Sequence, residues 1–445
     1  MNNPKSKIQN PNMCLNNSKS KIQNRKSIAM LHYAGPPLVG GVEQTITAHA
    51  RVMAADGQRV RIVAGSGTQV GSGIEVHVDA LLSSRGPLVE RVNAELARGQ
   101  VTAHFHALVG QIEAVLTEAL AGVDVAIVHN VLTLQKNLAF TAALWNLHHS
   151  RRAPHLIAWC HDFAWLDPLY ADELHPGAPW DLLKTAWPDV QYVVVSQDRR
   201  NMLAGLLRLP ADQIAVVTPG VDLAAFLKLE LETVALVDKL DLLHANPLLL
   251  LPARITRRKN IELAIAIIGG LREQGMQPKL VVTGPPGPHN PTNAAYLAQL
   301  QALRDGTGDP QSVVFLYEAF TDSENRPRPV SDAMIADLFR LADGLLFPSR
   351  YEGFGIPVLE AGLVGLPMFV SDIPPFRETA GDTALFFDFD APLGETVARI
   401  AQFLRDDQRT AIRRRVRLDY TWEAVYRRQI AGMVEAAIAK RRRNE

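Results

Sequence analysis

The sequence predicts an α/β protein of two doubly wound domains, each built on a parallel sheet. Three observations support this prediction. The chain has 445 residues, which is more than a single hydrophobic core usually serves. Short apolar runs of strand type alternate with segments of helical periodicity, and two such series are separated by the turn Thr218-Pro219-Gly220. A hydrophobic content of 47% is enough to bury two cores.

The first series alternates strands with segments of helical periodicity, such as the helix predicted over Val42–Ala55. Its strands are predicted at Ile28–Tyr33, Arg59–Ala64, Asp124–His129, His155–Cys160, Gln191–Ser196 and Ile214–Val217. This alternation is typical of a parallel sheet covered by helices.

The second series repeats the alternation after the turn. Its strands are predicted at Pro247–Leu251, Lys279–Thr283, Ser312–Leu316, Gly344–Phe347, Pro367–Ser371 and Ala384–Phe387. Ligands of such sheets bind beyond the carboxyl ends of the strands. We therefore expect the functional residues just after the strands.

These patterns predict four segments: a disordered basic tail over residues 1–27, an N-terminal domain over 28–215, a C-terminal domain over 216–420, and a C-terminal helix over 421–445 that crosses back to the first domain. The tail carries six basic residues and no acid, and it repeats NNPKSKIQN as NNSKSKIQN, a composition too polar to fold alone. We expect the tail to be dispensable.

Composition also limits the cellular setting. The two cysteines, Cys14 and Cys160, suggest no disulfide framework, and no apolar run reaches the length of a membrane span. We therefore expect a cytoplasmic protein that binds no nucleic acid. The basic residues Lys440–Arg443 leave weak peripheral association with the inner membrane face as an alternative to a solvated helix end.

A glycine-rich loop, Gly65–Gly71, follows a strand and superficially resembles a dinucleotide-binding loop. Its spacing differs from G-x-G-x-x-G, and the next segment, Ile74–Val78, reads as a strand rather than a helix. Without a helix N-terminus there is no dipole to hold a pyrophosphate. We therefore predict a surface loop here and disfavour a dehydrogenase.

The most informative segment is ADGLLFPSRYEGFGIPVLEAG, over residues 342–362. A buried strand ends before a glycine-containing loop, and the loop enters a helix with Pro357 in its first turn. Unpaired amides at this helix start, around Gly353–Ile356, can hold a phosphate. Glu352 in the loop and Glu360 in the helix can contact different ends of one long ligand.

Here the sequence resembles the retaining glycosyltransferases of family 4, which have the GT-B fold of two Rossmann-like domains facing across a cleft. Glu352 and Glu360 match the E-x7-E motif of that family. The resemblance implies that Glu352 binds donor-sugar hydroxyls and that Glu360 binds the ribose of the nucleotide. It covers most of residues 28–430 and implies a set of donor-binding residues: Gly40, Gly41, Gly353, Phe354, Gly355, Ile356 and Glu360.

The resemblance also implies a catalytic set of His161, Glu352, Arg254 and Lys259. Arg254 and Lys259 match the family's basic pair that neutralises the diphosphate. His161 matches the active-site histidine near the donor sugar, with a structural histidine as the alternative, and His129 and Asn130 are weaker acceptor-side candidates. We assign Arg257 and Arg258 to the surface.

No metal or other cofactor is expected. The pair Asp388 and Asp390 resembles a metal-binding D-x-D motif, but no second group of oxygen ligands accompanies it, so we interpret it as a loop. Arg254, Lys259 and helix amides would stabilise the departing diphosphate in place of a metal.

The sequence thus predicts a hexosyltransferase that moves a sugar from a nucleotide-diphosphate donor to a hydroxyl acceptor. The resemblance implies retention of anomeric configuration. Two alternatives stay open, another GT-B enzyme of nucleotide sugars such as an epimerase or hydrolase, and a non-catalytic nucleotide-sugar sensor. The donor nucleotide, the sugar and the acceptor are not specified by these motifs.

Overall fold

A computed structural model describes residues 25–37, 40–287 and 293–444 of the chain. It divides into two compact units. The first holds the described residues up to Gly220 together with those from Trp422 onwards, and the second holds Val221–Thr421. Across the described ranges, no helix is long and apolar enough to cross a membrane.

In the described part of the first unit, seven parallel strands form one sheet in the order β3-β2-β1-β4-β5-β6-β7. The strands are β1 (Ser27–His32), β2 (Arg59–Ala64), β3 (Ile74–Val78), β4 (Val125–His129), β5 (His155–Cys160), β6 (Gln191–Val194) and β7 (Ile214–Val216). The central strand β1 pairs with β2 on one side and β4 on the other, in register from Ile28 opposite Val125. Residues on both faces of β1 are buried, as expected of a parallel sheet covered by helices.

Helices cover both faces of this sheet. They are α1 (Gly41–Ala55), α2 (Pro87–Ala97), α3 (Ala103–Ala119), α4 (Leu138–His149) and α5 (Gln197–Leu207). Several begin with a side-chain cap: Thr102 accepts a hydrogen bond from the amide of His104, and Ser196 from that of Arg199. Such caps satisfy amides that have no partner inside the helix.

The second unit repeats the architecture with a parallel sheet in the order β10-β9-β8-β11-β12-β13. Its strands are β8 (Leu248–Leu251), β9 (Lys279–Val282), β10 (Val313–Phe315), β11 (Gly344–Phe347), β12 (Met368–Ser371) and β13 (Leu385–Phe387). The two central strands, β8 and β11, are buried at every position. Their continuous apolar sequences therefore suit a sheet covered on both faces.

The helices of the second unit complete its core. They are α6 (Leu223–Leu227), α7 (Leu231–Lys239), α8 (Ile261–Glu273), α9 (Asn293–Asp305), α10 (Leu316–Ala319), α11 (Asp332–Leu341), α12 (Ile356–Leu363), α13 (Pro374–Ala380), α14 (Leu393–Asp406) and α15 (Gln408–Asp419). Helix α14 buries Val397, Ile400 and Leu404 on one face, and it packs against α8. The 3.6-residue spacing of these apolar positions explains which face it turns to the core.

After α15 the chain returns to the first unit through α16 (Trp422–Val425), a π-helical turn (Tyr426–Ile430) and α17 (Ala431–Asn444). Tyr426 donates a 2.7 Å hydrogen bond to Asp56 at the end of α1. Val425 and Ile430 belong to the apolar cluster under the first sheet. This segment is therefore part of the core of the first unit. The predicted fold class, two α/β units with parallel sheets, is confirmed.

The predicted tail boundary needs a correction. Residues 1–24 lie outside the described residues, but residues 25–27 do not belong to a disordered tail. Ser27 opens β1, and its amide donates a 2.8 Å hydrogen bond to Asp124. Lys26 forms an ion pair with Glu435 and its carbonyl accepts from the amide of Arg59. The composition of residues 25–27 did not indicate these contacts, because the partners are distant in sequence.

A buried ion pair holds α15 to the second sheet. The Arg417 guanidinium lies 2.6 Å from Asp343 Oδ2, and both side chains are almost completely buried. Asp343 also accepts from the amide of Leu248 at 2.8 Å, and Arg417 donates to the carbonyls of Leu243 and Ala245. Each buried charge thus has a partner, which offsets part of the cost of removing it from water.

We predict that Arg417→Met lowers the free energy of unfolding by about 3–5 kcal/mol, because it leaves Asp343 buried without its counter-charge. Urea unfolding followed by circular dichroism measures the change. The control is Arg409→Met, which removes an exposed arginine of the same helix and should change stability by about 0.5 kcal/mol or less. Equal losses in both variants would show that the buried pair is not the cause.

Candidate functional site

The second unit brings its predicted site residues to the carboxyl ends of β8 and β11. These strands are neighbours in the sheet, with Gly344 opposite Leu249. Arg254 and Lys259 follow β8, and Glu352 follows β11. Because both strands run in the same direction, their following loops emerge at the same edge.

Lys259 and Glu352 form an ion pair at this edge. Lys259 Nζ contacts Glu352 Oε1, and the other carboxylate oxygen accepts a 2.9 Å hydrogen bond from Arg258 Nη1. Lys259 is 7% exposed and Glu352 is 8% exposed. The Lys259 ammonium also lies 4.6 Å from the centre of the Phe347 ring. Two of the predicted site residues, Lys259 and Glu352, are therefore in contact, and Arg258, which we assigned to the surface, belongs to the cluster.

Burial and hydrogen bonding act in opposite directions on the pKa of Glu352. Burial alone would raise it, but hydrogen bonds from Lys259 and Arg258 and the charge of Lys259 lower it below the usual glutamate value. Burial lowers the pKa of Lys259, and Glu352 counteracts this shift. The cluster therefore holds an ionised carboxylate that fixes the position of a partly desolvated ammonium.

The start of α12 presents unpaired backbone donors. Gly355 caps the helix with a φ of +99°, a left-handed conformation that favours glycine. A Cβ atom there would lie 2.8 Å from the ring of Phe376. Within the described residues, the amides of Gly353, Phe354 and Ile356 donate to no carbonyl. Such amides at a helix N-terminus suit an anionic ligand.

Arg254 and Glu360 flank this cluster without joining it. Arg254 is exposed, and neither residue forms an ion pair with a described residue. Glu360 is half-buried on α12, and burial together with the charge of Asp332 raises its pKa. Both side chains therefore keep their hydrogen-bonding capacity for a ligand.

The first unit gathers four histidines, three of them at the carboxyl ends of β1, β4 and β5. His32 Nδ1 donates to the carbonyl of His129 at 2.9 Å, and His129 Nδ1 lies 3.2 Å from His161 Nε2. His49, from α1, packs its ring 4.8 Å from that of Trp159. A hydrogen bond between these facing nitrogens of His129 and His161 requires one of them to carry a proton and the other to accept it.

Asn130 shapes the turn that carries His161. Its side-chain oxygen accepts from the amides of His161 at 2.7 Å and Asp162 at 3.2 Å. Its side-chain amide donates to Asp162 Oδ2 at 3.3 Å. Asn130 therefore acts on the position of His161 through the backbone.

Burial keeps this histidine cluster neutral at pH 7. It lowers the pKa of His161 to about 4, although the charge of Asp162 opposes the shift. It lowers the pKa of His49 to about 3 and that of His129 well below its usual value. The remaining member, His32, also has a lowered pKa, and the carboxylate of Glu43 lies 3.9 Å from its Nε2.

The other predicted positions fall at element ends. Gly40 and Gly41 lie where α1 begins, next to residues 38–39, which are outside the described ranges.

Asp388 and Asp390 follow β13 in a turn in which the amide of Asp390 donates to Asp388 at 3.0 Å. No group of three or more His, Cys, Asp or Glu residues in the described ranges could hold a metal ion.

Sequence reasoning missed Arg258, His32 and His49. His32 could have been found, because it ends a strand at the same sheet edge as His129. His49 gives no such signal, since its apolar surroundings depend on tertiary packing. Arg258 looked like one of several basic residues in a turn, and only the position of Glu352 distinguishes it.

The sequence of the second unit matches a known family. Residues 236–419 match the family model described as "Glycosyl transferases group 1". This region contains Arg254, Lys259, Glu352 and Glu360. The family match therefore covers the cluster just described.

Curated relatives have names of the same class, and a solved structure aligns along most of the chain. The serotype-specific mannosyltransferase WbdA of Escherichia coli is 41% identical over 14% of this chain and 8% of its own. Mannosylglucosylglycerate synthase of Petrotoga mobilis is 24% identical over 57% of this chain and 61% of its own. Sucrose-phosphate synthase of Thermosynechococcus elongatus aligns with 94% of this chain and all of its own, at 18% identity and a TM-score of 0.37.

The chain thus spans less than two thirds of the length of either curated relative. The family match and the glycosyltransferase names of the relatives support the predicted enzyme class.

We predict that the free energy of unfolding falls as the pH is lowered from about 6.5 to 4, and that His161→Gln makes this fall shallower. A folded-state pKa near 4 means that the unfolded chain binds a proton in this range while the folded chain does not. The contribution of His161 to the free energy of unfolding is therefore fully present above about pH 6.5. It is lost on acidification, by up to about 3 kcal/mol.

Denaturant unfolding at several pH values measures this slope. The control is His106→Gln, since His106 is exposed on α3, and its curve should run parallel to that of the unchanged protein. A parallel curve for His161→Gln as well would contradict the proposed neutral, buried state of His161.

Proposed function

We propose that the protein is a retaining family 4 glycosyltransferase that moves a hexose from a nucleotide-diphosphate sugar to a hydroxyl acceptor. One observation carries the proposal. An ionised Glu352–Lys259 pair and the unpaired amides at the start of α12 lie at the same edge of the second sheet. Both are within the region that matches the group 1 glycosyl transferase model. This combination suits a ligand that is anionic at one end and rich in hydroxyls at the other.

In this proposal the diphosphate binds to Lys259, Arg254 and the amides around Gly353–Ile356. Lys259 has three N–H donors, and its contact with Glu352 uses one of them, so two remain for phosphate oxygens. Arg254 has no carboxylate partner among the described residues. Breakage of the bond between the anomeric carbon and the phosphate adds negative charge to the diphosphate, which these groups stabilise in the transition state.

Glu352 and Glu360 contact the two ends of the donor. Each carboxylate oxygen can accept two hydrogen bonds, so Glu352 retains capacity for sugar hydroxyls beside Lys259 and Arg258. Glu360, half-buried on α12, binds the ribose. We further propose that His161 acts as a neutral hydrogen-bonding group on the sugar, as the family resemblance implies, and that Gly40 and Gly41 approach the phosphate.

The acceptor is a hydroxyl compound such as a glycan, a lipid-linked sugar or a small molecule. We place the reaction in the cytoplasm, with weak association at the inner membrane face as an option for a lipid-linked acceptor. Thermal-shift screening with UDP-, GDP- and ADP-sugars, followed by product analysis with and without acceptors, tests this function. Hydrolysed or epimerised sugar without a glycosylated product would favour the alternative GT-B activities, and binding without turnover would favour a sensor.

We predict that Glu352→Gln lowers kcat more than it weakens binding of the free nucleoside diphosphate. The amide oxygen still accepts from Lys259, so the diphosphate site persists, while the charge-assisted bonds to sugar hydroxyls are weakened. Glu360→Gln should instead weaken both the donor and the free nucleotide. One such bond is worth roughly 1.5–3 kcal/mol, which corresponds to about a tenfold or larger change.

Calorimetric affinities and steady-state rates for both variants measure the difference. The matched control is Glu378→Gln, an exposed glutamate on the neighbouring α13, which should change neither quantity. If Glu352→Gln abolished nucleotide binding and Glu360→Gln left it intact, the donor would have to be bound in the opposite direction.

We predict that most of the activity survives EDTA, because the leaving group is assigned to Lys259, Arg254 and backbone amides. The transfer rate is measured before and after chelation and after addition of Mn²⁺. Complete loss that Mn²⁺ restores would contradict this assignment and would return attention to Asp388 and Asp390.

A further inference from the structure

The first unit has a polar cleft at the opposite end of its strands from the histidine cluster. Its volume is about 520 Å³, and Arg25, Arg51 and Arg59 line it together with the loop at Gly71–Gly73. Arg25 precedes β1 and Arg59 opens β2, so the cleft lies at the amino ends of the strands. His32 and His129 lie at the carboxyl ends of β1 and β4.

The positive charge of this cleft is not neutralised by nearby acids. None of the three guanidinium groups forms an ion pair or hydrogen bond with a described residue. The one carboxylate in the lining, Glu75, is bound to Arg61 at 2.8 Å.

Two further acids near the cleft are also engaged. Glu435 is paired with Lys26, whereas Asp56 accepts from the neutral hydroxyl of Tyr426 and keeps its charge, so within the described residues three guanidinium groups outnumber one uncompensated carboxylate. Residues 1–24 contain no Asp or Glu, so the preceding segment offers no counter-charge either. Three guanidinium groups around one cleft are therefore available to an anion.

The backbone around the cleft offers N–H donors, and the carbonyls at the end of α1 are already hydrogen-bonded. Among described residues, the amides of Gly71 and Ser72 donate to no acceptor. The carbonyls at the end of α1 would repel an anion, but those of Val52, Met53 and Ala54 already accept from the amides that follow the helix. The loop before β3 thus presents N–H groups to the same space as the arginines.

We propose that this cleft binds a phosphate-bearing anion at a site separate from the proposed donor site. The ligand is either a free phosphorylated compound or an anionic lipid headgroup, which offer the same chemistry to the arginines. Guanidinium groups bind phosphate through paired N–H donors, and the unpaired loop amides supplement them. This assignment also gives a role to the end of the glycine-rich loop Gly65–Gly71, which we predicted as a surface loop. It does not depend on the proposed transfer reaction.

Inorganic pyrophosphate is the calorimetric probe. Titrations use full-length Lys259→Gln, in which the proposed donor site has lost its buried cation and is weakened, and the arginine variants show which part of the remaining binding belongs to the cleft. We expect saturable binding that Arg51→Gln or Arg59→Gln, added to this background, weakens by about tenfold or more. In the same background, the affinity of Arg51→Lys should lie between that of Lys259→Gln alone and that of Lys259→Gln/Arg51→Gln, because lysine keeps the charge but loses the paired donors.

The matched control is Arg98→Gln, since Arg98 is an exposed arginine of the same unit at the end of α2. It should leave the affinity unchanged, and circular dichroism should show every variant folded. Absence of saturable binding in the Lys259→Gln protein, or an equal loss in Arg98→Gln, would overturn the proposal. Both results are independent of whether the enzyme transfers a sugar.

Flotation with vesicles separates the two sources of the ligand. Binding to phosphatidylglycerol vesicles but not to phosphatidylcholine vesicles, lost in Arg51→Gln/Arg59→Gln, supports a lipid headgroup. Pyrophosphate binding without vesicle binding supports a free phosphorylated compound. If anionic vesicles bind the double variant as well as the unchanged protein, and pyrophosphate binds neither, the cleft is not an anion site.

Discussion

The buried ion pair between Lys259 and Glu352 is the constraint on which the arrangement of the second unit's cluster depends. Two charges removed from water need each other, because either one alone would be costly to bury. The pair joins the loop after β8 to the loop after β11, and sheet topology already makes these strands neighbours. The start of α12 follows the same loop, so its unpaired amides are fixed relative to the ammonium.

The two units place their polar residues at the same position of the fold but differ in the chemistry of these residues. Polar residues lie where parallel strands end, and the strands themselves are apolar and buried. In the second unit the strand ends carry charges that are paired or exposed. In the first they carry histidines that burial keeps neutral. A neutral imidazole can both donate and accept a hydrogen bond, whereas cations and backbone amides suit an anionic group.

The sequence predicts the fold closely because strand positions depend on local apolar runs: β2, β5 and β11 agree residue for residue with the prediction. It also predicts which loops carry polar residues. It does not predict side-chain partners, since Arg258 and Glu352 are 94 residues apart, and the surroundings of His49 arise from α1, β5 and α16 together. The contacts of Lys26 and Ser27 were missed for the same reason. Long-range pairing is not encoded in local composition.

The charges of the second unit also explain why Glu352 can lie beside Lys259, the cation that we propose binds the diphosphate. A lysine side chain free in solvent would lose rotational freedom on meeting a diphosphate. Here Glu352 has already oriented the ammonium, and desolvation strengthens its field. Arg254 remains exposed and forms no ion pair with a described residue, so the proposed diphosphate would still meet net positive charge. In the proposed complex the carboxylate would therefore reduce the reorganisation needed on binding without cancelling the attraction, which is the condition for electrostatic preorganisation.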